Sequence, residues 1–156
     1  MLNIVASIDI HRPPTEVFEF ITSSPNDPAW QHGTLASSRL FKGAAAPGGA
    51  FRTVGHLMGR RMVSTFEITE FEPNRKYGFR SLTGSLISHT LCTLKGTDGS
   101  TRIKIVTRAS PRNESAMPES GLEKYMQKEL KGNLAVLKTI LEQAPASQEP
   151  GLSASA

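Results

Sequence analysis

The feature that most constrains this 156-residue chain is a change of hydrophobic period. From Thr34 to Ala109 short β-prone runs alternate apolar and polar residues, the period-two signature of half-buried strands. After Pro118 the period lengthens to that of a helix, with Leu122, Met126, Leu130, Leu134, Leu137 and Leu141 on one stripe. A sheet with one apolar face needs a cover, and this stripe is the only element long enough to supply it. The fold class is therefore α+β.

The runs are LASSRLF, AFRTVGHLM, RMVSTFEITEF, KYGFRS, LISHTLCTL and TRIKIVTRA, separated by AAAPGGA, GR, EPNR, LTGS and GTDGS. Turn-tolerant residues dominate these separators, so six strands follow one another as antiparallel hairpins. Ahead of them NIVASIDI alternates with Ile4, Ala6, Ile8 and Ile10 on one face, giving about seven strands in all. Between the first strand and the meander lies RPPTEVFEFITSSPNDPAW. Pro14 suits a first helical turn and Val17, Phe18 and Ile21 recur at helical spacing, while Pro25 and Pro28 prevent a long continuation. Two short helices result, ending near Trp30. They plug the open end of a curved sheet, with Trp30 near the mouth of an internal cavity. Gly33, Gly43, Gly48, Gly49 and Gly55 ease the sharp bends, and Gly132 and Asn133 allow a bend in the long helix.

Hydrophobic matching across strands selects a register, since a slip of one residue reverses every side chain. A Gly59-Arg60 turn pairs Leu57 with Met62, Gly55 with Ser64, Thr53 with Phe66 and Phe51 with Ile68. Arg52, His56 and Arg61 then point away. The next hairpin pairs Ile68 with Phe79 and Glu70 with Tyr77. The last, closed so that Lys95 meets Thr101, pairs Thr93 with Ile103, Leu91 with Ile105 and His89 with Thr107. The expected inner face is Phe51, Leu57, Met62, Phe66, Ile68, Tyr77, Phe79, Leu91, Ile103 and Ile105, with His89 and Thr107 as polar members. Together with Trp30 and with Met126, Leu130 and Leu134 of the long helix, these are the expected ligand-binding residues.

The order of elements, with IHRPPTEVFEFITSSPNDPAW, GGAFRTVG, FEITEFEPNRKYGFRS and DGSTRIKI, resembles the SRPBCC superfamily, which includes START, Bet v 1 and polyketide cyclase/dehydrase-like proteins. The resemblance covers the chain to about Gln143 and is nearest to the polyketide cyclase-like subgroup. It implies a helix-grip fold over residues 1–143; the tail, 144–156, has no periodicity and is expected to be disordered. It also implies a small hydrophobic or amphipathic ligand under the long helix, held by a carrier, a sensor or a cyclase. No catalytic motif of the family is matched position by position.

Three side chains are the candidates for chemistry: His89 for proton transfer, with Tyr77 and Thr107 to orient a ligand oxygen. An enzyme of this kind would be a cyclase or dehydratase acting on a polyketide-like carbonyl compound. The alternative readings of His89 are a buried, hydrogen-bonded histidine or, if the register slips, an exposed one. His32 and His11 read as loop residues, and Met58, Met62, Met117 and Met126 as adaptable gap fillers. Glu67, Glu70 and Glu72 fit a solvated strand face. A G-x-S-x-G elbow, a phosphate-binding glycine loop and zinc-site spacing are all absent from the sequence, and neither cofactor nor metal is expected. A single cysteine, Cys92, precludes an internal disulfide and suits a reducing compartment. With no apolar run approaching the ~20 residues of a membrane span, a cytoplasmic protein is expected. The formal charge of +4 is spread along the chain, so nucleic acid is not an expected partner. The edge of the last strand is where two copies would pair as a homodimer.

Overall fold

The computed structural model describes residues 1–113 and 119–144. The elements are β1 (Leu2–Ile10), α1 (Pro14–Thr22), a 3-10 turn (Ser24–Asn26), α2 (Asp27–Trp30), β2 (Thr34–Arg39), β3 (Ala50–Leu57), β4 (Arg60–Glu72), β5 (Lys76–Thr83), β6 (Leu86–Thr97), β7 (Ser100–Pro111) and α3 (Leu122–Gln143). One antiparallel sheet carries all seven strands in the order β1-β7-β6-β5-β4-β3-β2. This is the helix-grip arrangement, a curled sheet around a long C-terminal helix, with short helices after the first strand. Met117, Pro118 and the tail from 145 to 156, about which the sequence raises expectations, lie outside the described residues.

Alternation builds the inner face. On β1, Leu2, Ile4, Ala6 and Ile10 are buried while Asn3, Val5, Ser7 and Asp9 are exposed. Pro14 opens α1, which buries Val17, Phe18 and Ile21, and Pro25 and Pro28 break the chain into the 3-10 turn and α2. The long helix runs without a break from Leu122 through Gly132 and Asn133 to Gln143.

Three register expectations are corrected. The β3–β4 turn is Met58-Gly59, with both φ positive (51° and 79°), as a two-residue type I′ hairpin requires. Phe51 therefore meets Phe66, Thr53 meets Ser64 and Gly55 meets Met62. The offset from the expected pairing is two residues, so the same side chains stay inside. Ile68 does pair with Phe79, but a bulge between Ile68 and Glu70 sets Glu70 against Gly78 and Phe71 against Tyr77. The third correction inverts a strand. Asp98-Gly99 forms a second two-residue turn (φ 48° and 77°), so Thr90 meets Thr107, Cys92 meets Ile105 and Leu94 meets Ile103. Leu86, Ser88, Thr90, Cys92 and Leu94 face inward; His89 and Leu91, expected inside, face outward.

β7 is not an edge, because β1 pairs with it from Leu2↔Ala109 to Ile10↔Thr101. The edge pairing between subunits suggested by the sequence is thus unavailable on that strand. The far edge of β1 is in turn covered by α3: Glu123 accepts from Asn3 N–H, Gln127 bonds both N–H and C=O of Val5, Lys138 donates to Asp9 C=O, and Glu142 accepts from His11 N–H. Covering an edge with side chains removes a template for aggregation.

The core divides in two. The larger cluster joins Ile10, Val17, Phe18, Ile21, Ile68, Leu94, Ile103, Leu134, Leu137 and Leu141, among others. Ile68, Ile103 and Leu134, expected to touch a ligand, belong to this packing and not to the cavity wall. The smaller cluster is Leu2, Ile4, Leu57, Leu86 and Leu122, with Met62, Tyr125, Met126 and Leu130 against it.

Candidate functional site

Residues from both clusters wall a cavity of about 260 Å³ between the sheet and α3. That is slightly under the ~300–1,000 Å³ typical of small-molecule pockets. Its origin is legible in side-chain size. Inner-face positions on β3, β4, β6 and β7 carry Thr53, Gly55, Ser64, Ser88, Thr90 and Thr107, where larger residues would fill the space.

One wall is aromatic. Phe51 stacks on Phe66 at 5.3 Å between ring centroids, Phe79 meets both edge-on, and Tyr77 lies 5.4 Å from Phe79. Beyond the cavity the chain of rings continues through Phe71 to Phe18. Such pairs add roughly 0.5–1.5 kcal/mol each beyond burial, making this wall the stiff one. Opposite it, Met126 and Leu130 of α3 form a softer face.

The polar groups sit in three places. The first is the plug. Asp27 and Trp30 are three residues apart on α2 and both are only 6% exposed. Ser37 Oγ donates to Asp27 Oδ2 at 3.1 Å. Burial, only partly offset by that bond, pushes the Asp27 carboxyl up to about 7. Trp30 Nε1 and Ser24 Oγ are buried without a hydrogen-bond partner among the described residues, so the plug carries unpaired polar groups. The second place is the cavity floor. Thr90 Oγ1 and Thr107 Oγ1 are 2.9 Å apart. The buried Tyr77 phenol is pushed up by burial and then by the neighbouring Asp27 and Cys92. Burial and Asp27 likewise push the Cys92 thiol up to about 12, which keeps it protonated and poorly nucleophilic.

The third place is the rim, where Gln31, Thr34, His56, Glu129 and Asn133 border the opening. His32 N–H donates to Asn133 Oδ1 at 3.0 Å, linking the loop after α2 to α3. The His32 and His56 rings lie 6.3 Å apart, nearly perpendicular. His56 was expected to point away; it is half-buried and borders the cavity. Gly33 and Gly55 meet beneath this rim, and a Cβ on Gly55 would lie 1.9 Å from Gly33 O, so only glycine fits.

Of the residues singled out from sequence, Trp30, Phe51, Leu57, Met62, Phe66, Tyr77, Phe79, Ile105, Thr107, Met126 and Leu130 line the cavity. His89 does not; it is exposed on the outer face with Nε2 3.3 Å from Thr69 Oγ1. The proton-transfer trio of His89, Tyr77 and Thr107 is therefore not brought together. Leu91 is outside as well. Glu67, Glu70 and Glu72 are engaged by Arg80, Lys76 and Arg75 on the outer surface. Sequence reasoning missed Asp27, whose place inside depends on the SPNDP break folding back on itself. It also missed Thr90 and Cys92, which the Asp98-Gly99 turn would have brought inside.

The family model described as "Polyketide cyclase / dehydrase and lipid transport" matches residues 1–142. No curated protein matches the chain. Among solved structures, a START superfamily protein from Mycobacterium smegmatis is similar at 11% identity and a TM-score of 0.78, over 92% of this chain and 99% of that one. The Zhui aromatase/cyclase from Streptomyces is similar at 14% identity and 0.77, over 90% and 93%. A protein from Thermus thermophilus is similar at 16% identity and 0.75, over 91% and 99%. At these identities the likeness is one of fold.

Proposed function

We propose a function from one premise: the chain belongs to the polyketide cyclase/dehydrase and lipid transport family. Within that family this protein binds a small hydrophobic or amphipathic molecule in the cavity under α3, as a carrier or sensor. The observation that carries the reading is the cavity's division into apolar walls and a few convergent polar groups, Asp27, Tyr77, Thr90 and Thr107. Aromatic and methionine surfaces supply affinity for a flat or flexible skeleton, and the hydroxyls and carboxyl orient its oxygen.

Native mass spectrometry of the protein purified from cells tests this. A discrete added mass, released on denaturation and lost in Thr53→Leu, is the expected result. Thr53 borders the cavity, and leucine there fills part of it. An added mass retained by a folded Thr53→Leu variant, or none with any apolar compound supplied, overturns the reading.

A second reading, turnover of a polyketide-like carbonyl compound, is favoured by Asp27. Its carboxyl, held near 7 by burial, populates both protonation states at neutral pH, as an acid–base group must. This role passes to Asp27 from His89, which does not reach the cavity. On that reading Asp27→Asn abolishes turnover and keeps binding; a variant with full activity rules it out.

A further inference from the structure

The charges around the cavity are one-sided. Among the described residues its lining includes two carboxylates, Asp27 inside and Glu129 at the rim, one imidazole, His56 at the rim, and no lysine or arginine. Two positive charges in the neighbourhood are placed elsewhere. Arg39 donates to Gly43 C=O and lies 4.3 Å over the Phe41 ring, from where it lowers the Tyr77 phenol only as the weakest of four influences. Lys128 borders the groove outside the rim and not the cavity.

A carboxylate head therefore faces Asp27 near Tyr77 and Glu129 at the opening, and at the Thr90–Thr107 pair it finds a neutral donor with no counter-charge. Moving an anion out of water without a counter-charge is expensive, and a neighbouring carboxylate adds repulsion. A hydroxyl or carbonyl head meets the opposite situation. The Thr90–Thr107 pair spends one hydroxyl proton on itself and retains one more to donate, and the Asp27 carboxyl accepts from an alcohol or phenol.

We propose that the cavity selects its ligand by charge, taking neutral molecules with a hydroxyl or carbonyl head and rejecting carboxylates of the same skeleton. The inference rests on the binding function proposed above and names the ligand class for that cavity. It separates this protein from a carrier of fatty acids.

The test is binding of matched probes, 2-naphthol against 2-naphthoate and decan-1-ol against decanoate, by calorimetry at about pH 8, above the Asp27 value of about 7. The neutral member of each binding pair should be tighter by at least ~10-fold. Asp27→Asn should reduce that ratio by ~3-fold or more, chiefly by tightening the carboxylate member of each pair, and Glu129→Gln serves the same purpose at the rim. Carboxylates bound as tightly as alcohols, or a ratio unmoved by both variants, overturn charge selection and leave the binding function standing. Failure of all four probes to bind overturns both.

Discussion

The two ends of α3 rest on the same sheet but are packed differently. Toward its C-terminus, Leu134, Leu137 and Leu141 are buried against Ile10, Val17, Leu94 and Ile103 with no room to spare. Toward its N-terminus Leu122 is buried, but Met126 and Leu130 are half-buried and border open space. The helix is not the cause, because its stripe is leucine and methionine throughout. The difference lies in what it faces: the cross-strand pair Leu94–Ile103 at one end, and the pairs Thr53–Ser64 and Thr90–Thr107 at the other. The short helix α1 adds Val17 and Phe18 to the solid end, and its Ile21 reaches the cavity wall as well. A cavity in this molecule is thus written into small side chains on the sheet.

Leu137→Ala and Leu130→Ala should break this contrast first if it is wrong. The former removes a side chain with no exposed surface and should destabilise by about 3–5 kcal/mol in urea unfolding; the latter enlarges a space already present and should cost under ~2 kcal/mol. Equal losses would mean that both ends are equally packed.

Next in size is Asp27. Its folded-state carboxyl titrates near 7 against an ordinary 3.8, so the folded protein holds the proton more tightly than the unfolded chain. The associated stability is complete below about pH 4 and is lost as pH rises toward 7, up to about 4 kcal/mol in all. Asp27→Asn should flatten that decline and be the more stable form at pH 8. Parallel pH profiles of thermal unfolding for the two proteins would show that the hollow end does not hold a strained carboxyl.

Smaller again is Thr90→Val, which leaves Thr107 Oγ1 without its partner at nearly constant volume and should cost about 1–2 kcal/mol in the same assay. Smallest is His89→Ala, on the outer face, which should change stability by under ~0.5 kcal/mol and leave naphthol binding unaltered. Lost binding in that variant would return His89 to the cavity.

The first strand and the short helices after it were the most legible parts of the chain. Ile4, Ala6, Ile8 and Ile10 announce their strand by period alone, and Pro14, Pro25 and Pro28 announce the broken helices. The β3–β4 face survived a misplaced turn because the error was two residues, which preserves which side each residue faces. The β6 face did not survive an error of one. Both readings of LISHTLCTL place a leucine inside, so hydrophobicity did not discriminate; the Asp98-Gly99 dipeptide did, through the positive φ that both residues adopt. Asp27 was invisible for another reason. A short polar residue between two prolines reads as a turn, and only the fold-back of α2 against Ser37 of β2 brings it inside.

The bonds from α3 to the free edge of β1 bear on how a ligand gets in. Glu123, Gln127, Lys138 and Glu142 fasten the helix at both ends and along its length, so swinging it outward would strip the strand of its partners together. The rim is held far more lightly, by His32 N–H on Asn133. Hydrogen exchange should accordingly be faster at His32 than at Asn3, Val5 and His11. For the ligand proposed above, the route that these bonds leave open lies beside Trp30, through the segment whose two prolines keep it short.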